Sequence, residues 1–114
     1  MSARVFGTLV VLFGLTAGVV VETELTYEEK RLEREIAAEV GKLGLLGMHL
    51  SGYGCSGSTA TAYGLVCQEL EAVDSGIRSL VSVQGSLAMF AIHHWGSEEQ
   101  REQWLPGMAA GDLI

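Results

Sequence analysis

From Thr26 onward, apolar residues recur at every third or fourth position between charged or glycine-rich breaks, the pattern of helices buried along one face. Leu32, Ile36, Val40 and Leu43 form the first stripe. Opposite it, Glu28, Glu29, Lys30, Arg31, Glu33, Arg34 and Glu35 make a solvated face whose opposite charges stand three and four residues apart. Thr26 with Glu29 has the spacing of a capping box at the start of this helix, and Gly44 closes it. Met48–Gly57, with three glycines in ten residues, reads as a loop. A second helix is predicted from about Ser58 to Val73, with Tyr63, Val66, Cys67, Leu70 and Val73 on one side. Asp74-Ser75-Gly76 breaks it. A third runs from about Ile77 to Trp95, with Leu80, Val83, Leu87, Phe90 and His94 in register. Ser97 and Gln100 form a further capping box opening a short last helix, which Pro106 and Gly107 are expected to end. No strand pattern competes after Thr26. The predicted fold class is all-α, a partial helical bundle over residues 25–114.

Residues 1–24 are different. Val5–Val21 carries no charge, with Arg4 before it and Glu22 after. That is about the minimum length for a membrane-crossing helix, and its glycines and threonines weaken the case. Arg4 would suit a signal peptide, although Thr16-Ala17-Gly18 is a poor cleavage site. A buried or disordered segment, or sequence upstream of a misplaced start, are equal alternatives. The expected location is cytoplasmic, with membrane association through Val5–Val21 as the alternative.

At 114 residues the chain holds one domain at most. A net charge of −7 argues against nucleic acid, which needs clustered Lys and Arg. Cys55 and Cys67 read as free thiols of a reducing compartment, and neither has a partner at metal-ligand spacing.

Arg78 is the residue that asks for a partner. A cation near a helix start opposes the macrodipole. Ser79 lies beside it in sequence, and Ser82, four residues on, shares its side of the helix. Guanidinium, hydroxyls and free backbone N–H groups together suit a carboxylate ligand. The structural alternative is a salt bridge to Glu71, Asp74 or another glutamate. Glu98, Glu99 and Glu102 read as solvated first-turn residues. His93 and His94 are adjacent, about a hundred degrees apart on a helix, and do not converge on one metal. His49 stands alone in its loop. Tyr53 reads as a ring packed over a tight turn, and Trp95 and Trp104 as core or interface anchors.

The run ELEAVDSGIRSLVSVQGSL, followed by GSEEQREQWLPGMAAGDLI, with GKLGLLG and SGYGCSG upstream, resembles the amino-terminal helical domain of acyl-CoA dehydrogenases and glutaryl-CoA dehydrogenases most of all. The resemblance covers about Gly41–Ile114. It implies that Arg78 and Ser79 contact the far carboxylate of a glutaryl group, with Ser82 close by. It also implies FAD as cofactor, an acyl-CoA substrate such as glutaryl-CoA, and a homo-oligomer in the complete enzyme. In that family FAD is bound mainly by a β-domain, which would begin beyond Ile114. A glutamate of a carboxy-terminal helical domain removes the α-proton as hydride leaves the β-carbon for the flavin. Glutaconyl-CoA then loses carbon dioxide to give crotonyl-CoA. On this reading no residue of the chain is the catalytic base, the isolated chain is inactive, and an apolar face is left uncovered. The other reading is a small membrane-tethered helical protein that binds partners without catalysis. The sequence departs from the family in its short first helical region, in Val5–Val21, and at Phe90-Ala91, where many relatives carry histidine-proline.

Overall fold

The computed structural model describes residues 6–13, 17–24 and 27–114, with side chains from Tyr27 onward. They fall into two compact units, Met1–Glu33 and Arg34–Ile114. In the first, β1 (Phe6–Phe13) and β2 (Ala17–Glu24) pair antiparallel, with Val11 opposite Val19 and Phe13 opposite Ala17. The valines, threonines and phenylalanines of this stretch favour extended backbone. The run weighed as one membrane-crossing helix is thus two short strands, and among the described residues no helix is long and apolar enough to cross a membrane. Arg4, Thr16 and the Thr26 cap lie outside the described residues.

From Tyr27 the chain is helical, as expected. α1 spans Tyr27–Lys42, α2 Ala60–Val73, α3 Ser75–Ser82, α4 Phe90–Trp95 and α5 Glu98–Ala110. Between α3 and α4, Val83–Met89 widens into a π-helical turn, where the Phe90 N–H reaches back to the Gly85 carbonyl. The core gathers Val40, Leu46, Leu50, Val81, Met89, Leu105 and Ala109. Two of its helices meet through very small residues. A Cβ on Gly41 would lie 2.1 Å from the Ala110 carbonyl oxygen, and one on Gly111 2.2 Å from that of Ala37, so α1 and the end of α5 touch backbone to backbone.

Four expectations need correction. The first stripe is mostly outside: Ala37 and Val40 are buried, while Leu32, Ile36 and Leu43 are exposed. The loop after α1 is not merely a connector, because Leu46, Met48 and Leu50 point into the core. Its backbone is fastened by Ser58 N–H to Met48 O (2.6 Å) and Gly57 N–H to Leu50 O (2.9 Å). The third helix begins at Ser75, and of the residues read as one apolar stripe Leu80 is half-buried while Val83, Leu87, Phe90 and His94 lie on the outward face. The inward face is Val81, Gln84, Gly85 and Met89. Gly85 is inward because its missing side chain admits the Gly47 backbone, 2.9 Å from where a Cβ would sit. Gln84 is inward because its amide donates to the Met108 and Leu113 carbonyls at the far end of α5. Finally, α5 does not stop at Pro106 but continues to Ala110 and closes on left-handed Gly111. Burial of Leu105 and Ala109 on either side of the proline holds that extra turn. The Ser97–Gln100 capping box is present in both directions.

Candidate functional site

The site is built on the corner between α2 and α3. Asp74 ends one helix and starts the next. Its N–H donates to Leu70 O (2.8 Å) and its Oδ1 accepts from Ile77 N–H (3.0 Å). An extended residue between two helices folds the chain back on itself, so that residues of α2 face the first turns of α3. Arg78 is carried there and directs its Nε to Glu71 Oε2 at 2.6 Å, across the corner. Its Nη1 donates to Ser82 Oγ at 3.1 Å, and Ser82 Oγ donates in turn to Ser79 O at 3.1 Å.

The three residues singled out from sequence therefore stand together. Arg78 and Ser82 are directly bonded. Ser79 contributes its carbonyl, and its hydroxyl has no hydrogen-bond partner among the described residues. The salt bridge foreseen as the structural alternative is also present, with Glu71 and not Asp74 as partner. Glu71 raises the Arg78 pKa through its hydrogen bond and its charge, so the guanidinium is a fixed cation. One edge of the guanidinium is engaged by Glu71. Five N–H groups on a planar fork leave further donors for a second carboxylate.

Next to this polar group the outward side of the helix turns apolar. Val83 and Leu87 are 55% and 67% exposed. A charged end continued by an uncovered aliphatic row suits a ligand with a carboxylate at the end of a short carbon chain.

Pattern reading missed two further polar residues. Tyr63 on α2 pairs its hydroxyl with Ser86 Oγ at 2.7 Å, one helical turn beyond Ser82. Burial raises the Tyr63 pKa, and Tyr63 and Arg78 lie close enough for each to feel the other's charge. Helical spacing puts Tyr63 on the apolar face of α2, and nothing local marks its hydroxyl, because Ser86 is 23 residues away.

Other candidates resolve into structure. His49 is not solitary: its ring leans on Tyr63 at 4.6 Å, and its buried Nδ1 has no hydrogen-bond partner. Burial, and secondarily the charge of His93, lowers its pKa. His93 is half-buried and its Nε2 bonds Ser51 O at 2.9 Å. His94 is exposed and stacks on Phe90. Tyr53, in a left-handed conformation, donates to Glu98 Oε1 at 2.7 Å and so ties the loop to α5. Trp95 and Trp104 are not core. They border an open surface groove with Ala91, Ile92, Gly96 and Gln100. Cys55 and Cys67 are both unpaired. Among the described residues no group of three His, Cys, Asp or Glu converges as a metal site.

Comparison with known proteins gives the same address. The profile of the acyl-CoA dehydrogenase N-terminal domain matches residues 15–112, reaching well upstream of the Gly41 start of the motif resemblance. A solved glutaryl-CoA dehydrogenase of Mycobacterium smegmatis is 72% identical, with a TM-score of 0.71, over 72% of this chain and 21% of its own. Another structure of a glutaryl-CoA dehydrogenase from that organism, in complex with FADH2, is 65% identical, with a TM-score of 0.70, over 71% and 21%. An acyl-CoA dehydrogenase of Mycobacterium tuberculosis is 38% identical over 80 residues, 69% of this chain and 20% of the relative. The chain thus spans about a fifth of the length of the proteins it matches. It belongs to the acyl-CoA dehydrogenase family, and what it carries is that family's N-terminal helical domain.

Proposed function

We propose that this chain forms the wall of an acyl pocket in an FAD-dependent acyl-CoA dehydrogenase, and that the acyl group is glutaryl. Arg78, Ser79 and Ser82 receive its far carboxylate. The observation that carries this reading is the Arg78–Ser82 contact at 3.1 Å, set at the head of the exposed row Val83 and Leu87. The guanidinium offers the carboxylate paired N–H donors, and the two serines add hydroxyls. Glu71 keeps Arg78 turned toward this side in the free protein. The aliphatic row lies where the methylene carbons would pass. A monocarboxylic acyl chain leaves the guanidinium with Glu71 as its only carboxylate, so the site selects for the second carboxylate.

FAD accepts the hydride in such an enzyme. Two helix starts, at Asp74 and at Glu98–Glu99, carry carboxylates, which disfavour a pyrophosphate at those places. We assign the flavin's contacts, the catalytic base and the subunit contacts of a homo-oligomer to the parts of the enzyme beyond these residues. This chain's share of the chemistry is to bind and orient. The isolated chain is expected to be inactive.

The test is a chimera in which residues 41–114 replace the matching segment of the Mycobacterium smegmatis glutaryl-CoA dehydrogenase. It should oxidise glutaryl-CoA in preference to butyryl-CoA. A folded, flavin-loaded chimera without that preference would overturn the reading.

A further inference from the structure

We propose that the Tyr63–Ser86 hydroxyl pair is a positioning element of the carboxylate site, holding the wide turn that follows Ser82 and thereby the facing of Arg78 and Ser82 relative to Val83 and Leu87. This rests on the function proposed above.

π-helical turns are rare, less favourable than α-helix, and found mostly where a site needs them. Here the widening begins at Val83, immediately after Ser82, and ends at Met89. It holds one residue more per hydrogen-bonded ring than an α-turn. If the segment relaxed to α-helix, the residues on one side of it would rotate by about a hundred degrees relative to those on the other. The polar group Arg78, Ser79 and Ser82 lies before the turn; Leu87 lies within it. Relaxation would therefore swing the aliphatic row away from the carboxylate anchor.

The turn is held on its inner side by Gln84, bonded to α5, and by Gly85 packed on Gly47. On its outer side the side-chain tie is Ser86 Oγ to Tyr63 OH, at 2.7 Å. Tyr63 is itself fixed: it sits on α2, the helix that also supplies Glu71, and its ring rests on His49. One helix thus holds both ends of the polar row, Glu71 gripping Arg78 and Tyr63 gripping Ser86. Two hydroxyls bonded to one another also leave one O–H free to donate, so the pair can keep its own bond while facing a ligand.

The experiment has two arms. In the full 114-residue chain, hydrogen exchange and the Arg78 Nε–H resonance are followed by NMR for wild type, Tyr63→Phe, Ser86→Ala and Ser86→Thr. Tyr63→Phe and Ser86→Ala should speed exchange across residues 86–90 and move the Arg78 resonance, while the amides of α5 keep their protection. Ser86→Thr, which retains the hydroxyl, should restore both. In the chimera, Tyr63→Phe should lower the kcat/KM preference for glutaryl-CoA over butyryl-CoA by about fivefold, the worth of one neutral hydrogen bond, mainly through KM for glutaryl-CoA. An unmoved Arg78 resonance, or equal losses on both substrates, would overturn the positioning role. The dicarboxylate reading is judged separately, by Arg78→Ala. If that variant loses the preference and Tyr63→Phe does not, only the present inference fails.

Discussion

The backbone contact between α1 and the end of α5 can be tested by adding single methyl groups. Gly111→Ala combines two costs. Its φ of +81° puts a Cβ in the left-handed region, at about 1 to 2 kcal/mol. The same Cβ would meet Ala37 O at 2.2 Å, far inside contact distance, and only movement of backbone relieves it. Overpacking of that kind costs about 1 to 3 kcal/mol. The total, about 2 to 5 kcal/mol, is a large part of the stability of a small domain. Three other glycines separate the terms. Gly41→Ala has the clash, 2.1 Å from Ala110 O, without the positive φ. Gly52→Ala has φ +77° with nothing within 4 Å, and should lose only the first term. Gly64→Ala, inside α2 and facing open space, should gain about 0.5 to 1 kcal/mol of helix propensity. Urea unfolding at low protein concentration, followed by helical circular dichroism, should rank stability as Gly64→Ala, wild type, Gly52→Ala, then Gly41→Ala or Gly111→Ala. A Gly41→Ala protein as stable as wild type, or a Gly111→Ala protein no worse than Gly52→Ala, would refute the close packing of these helices.

Two more predictions concern the supports of the site. Ser97→Ala removes the acceptor for Gln100 N–H at the start of α5, and should cost about 1 kcal/mol by the same urea measurement; Ser97→Asp should not. For His49, burial lowers the folded pKa, so the unfolded chain takes up the proton more readily. Its contribution is intact above the unfolded imidazole value of about 6.5 and is lost as pH falls through the lowered folded value. The urea midpoint should therefore drop from about pH 8 to about pH 5 more in wild type than in His49→Phe; parallel profiles would show that His49 is not the group responsible.

How far the sequence reached depended on the range of the interaction. The Ser97–Gln100 box and the Arg78–Ser82 pair are three and four residues apart, and helical spacing alone reveals both. Glu71 was legible only as one of several partners, because its seven-residue separation from Arg78 spans the Asp74 corner. Tyr63 and Ser86 were not legible as a pair. The core face of α3 and its wide turn was misread for a physical reason: a buried glycine and a buried glutamine score as polar or neutral, whereas the exposed Val83, Leu87 and Phe90 score as core. In this domain all three are outside, Val83 and Leu87 where the proposed acyl chain would lie. The same bias hid Leu46, Met48 and Leu50 among glycines, and ended α5 at a proline that tertiary packing carries past.

The central claim, that Arg78 reads the far carboxylate of the substrate, is tested most directly by the ratio of kcat/KM for glutaryl-CoA to that for butyryl-CoA in the chimera, before and after Arg78→Ala. A charge-assisted hydrogen bond is worth about 1.5 to 3 kcal/mol, so the ratio should fall roughly 10- to 150-fold, with butyryl-CoA turnover little changed. Lysine at the same position should recover part of it, keeping the charge but not the fork. An equal fall for both substrates would mean that Arg78, tied to Glu71, serves the fold alone.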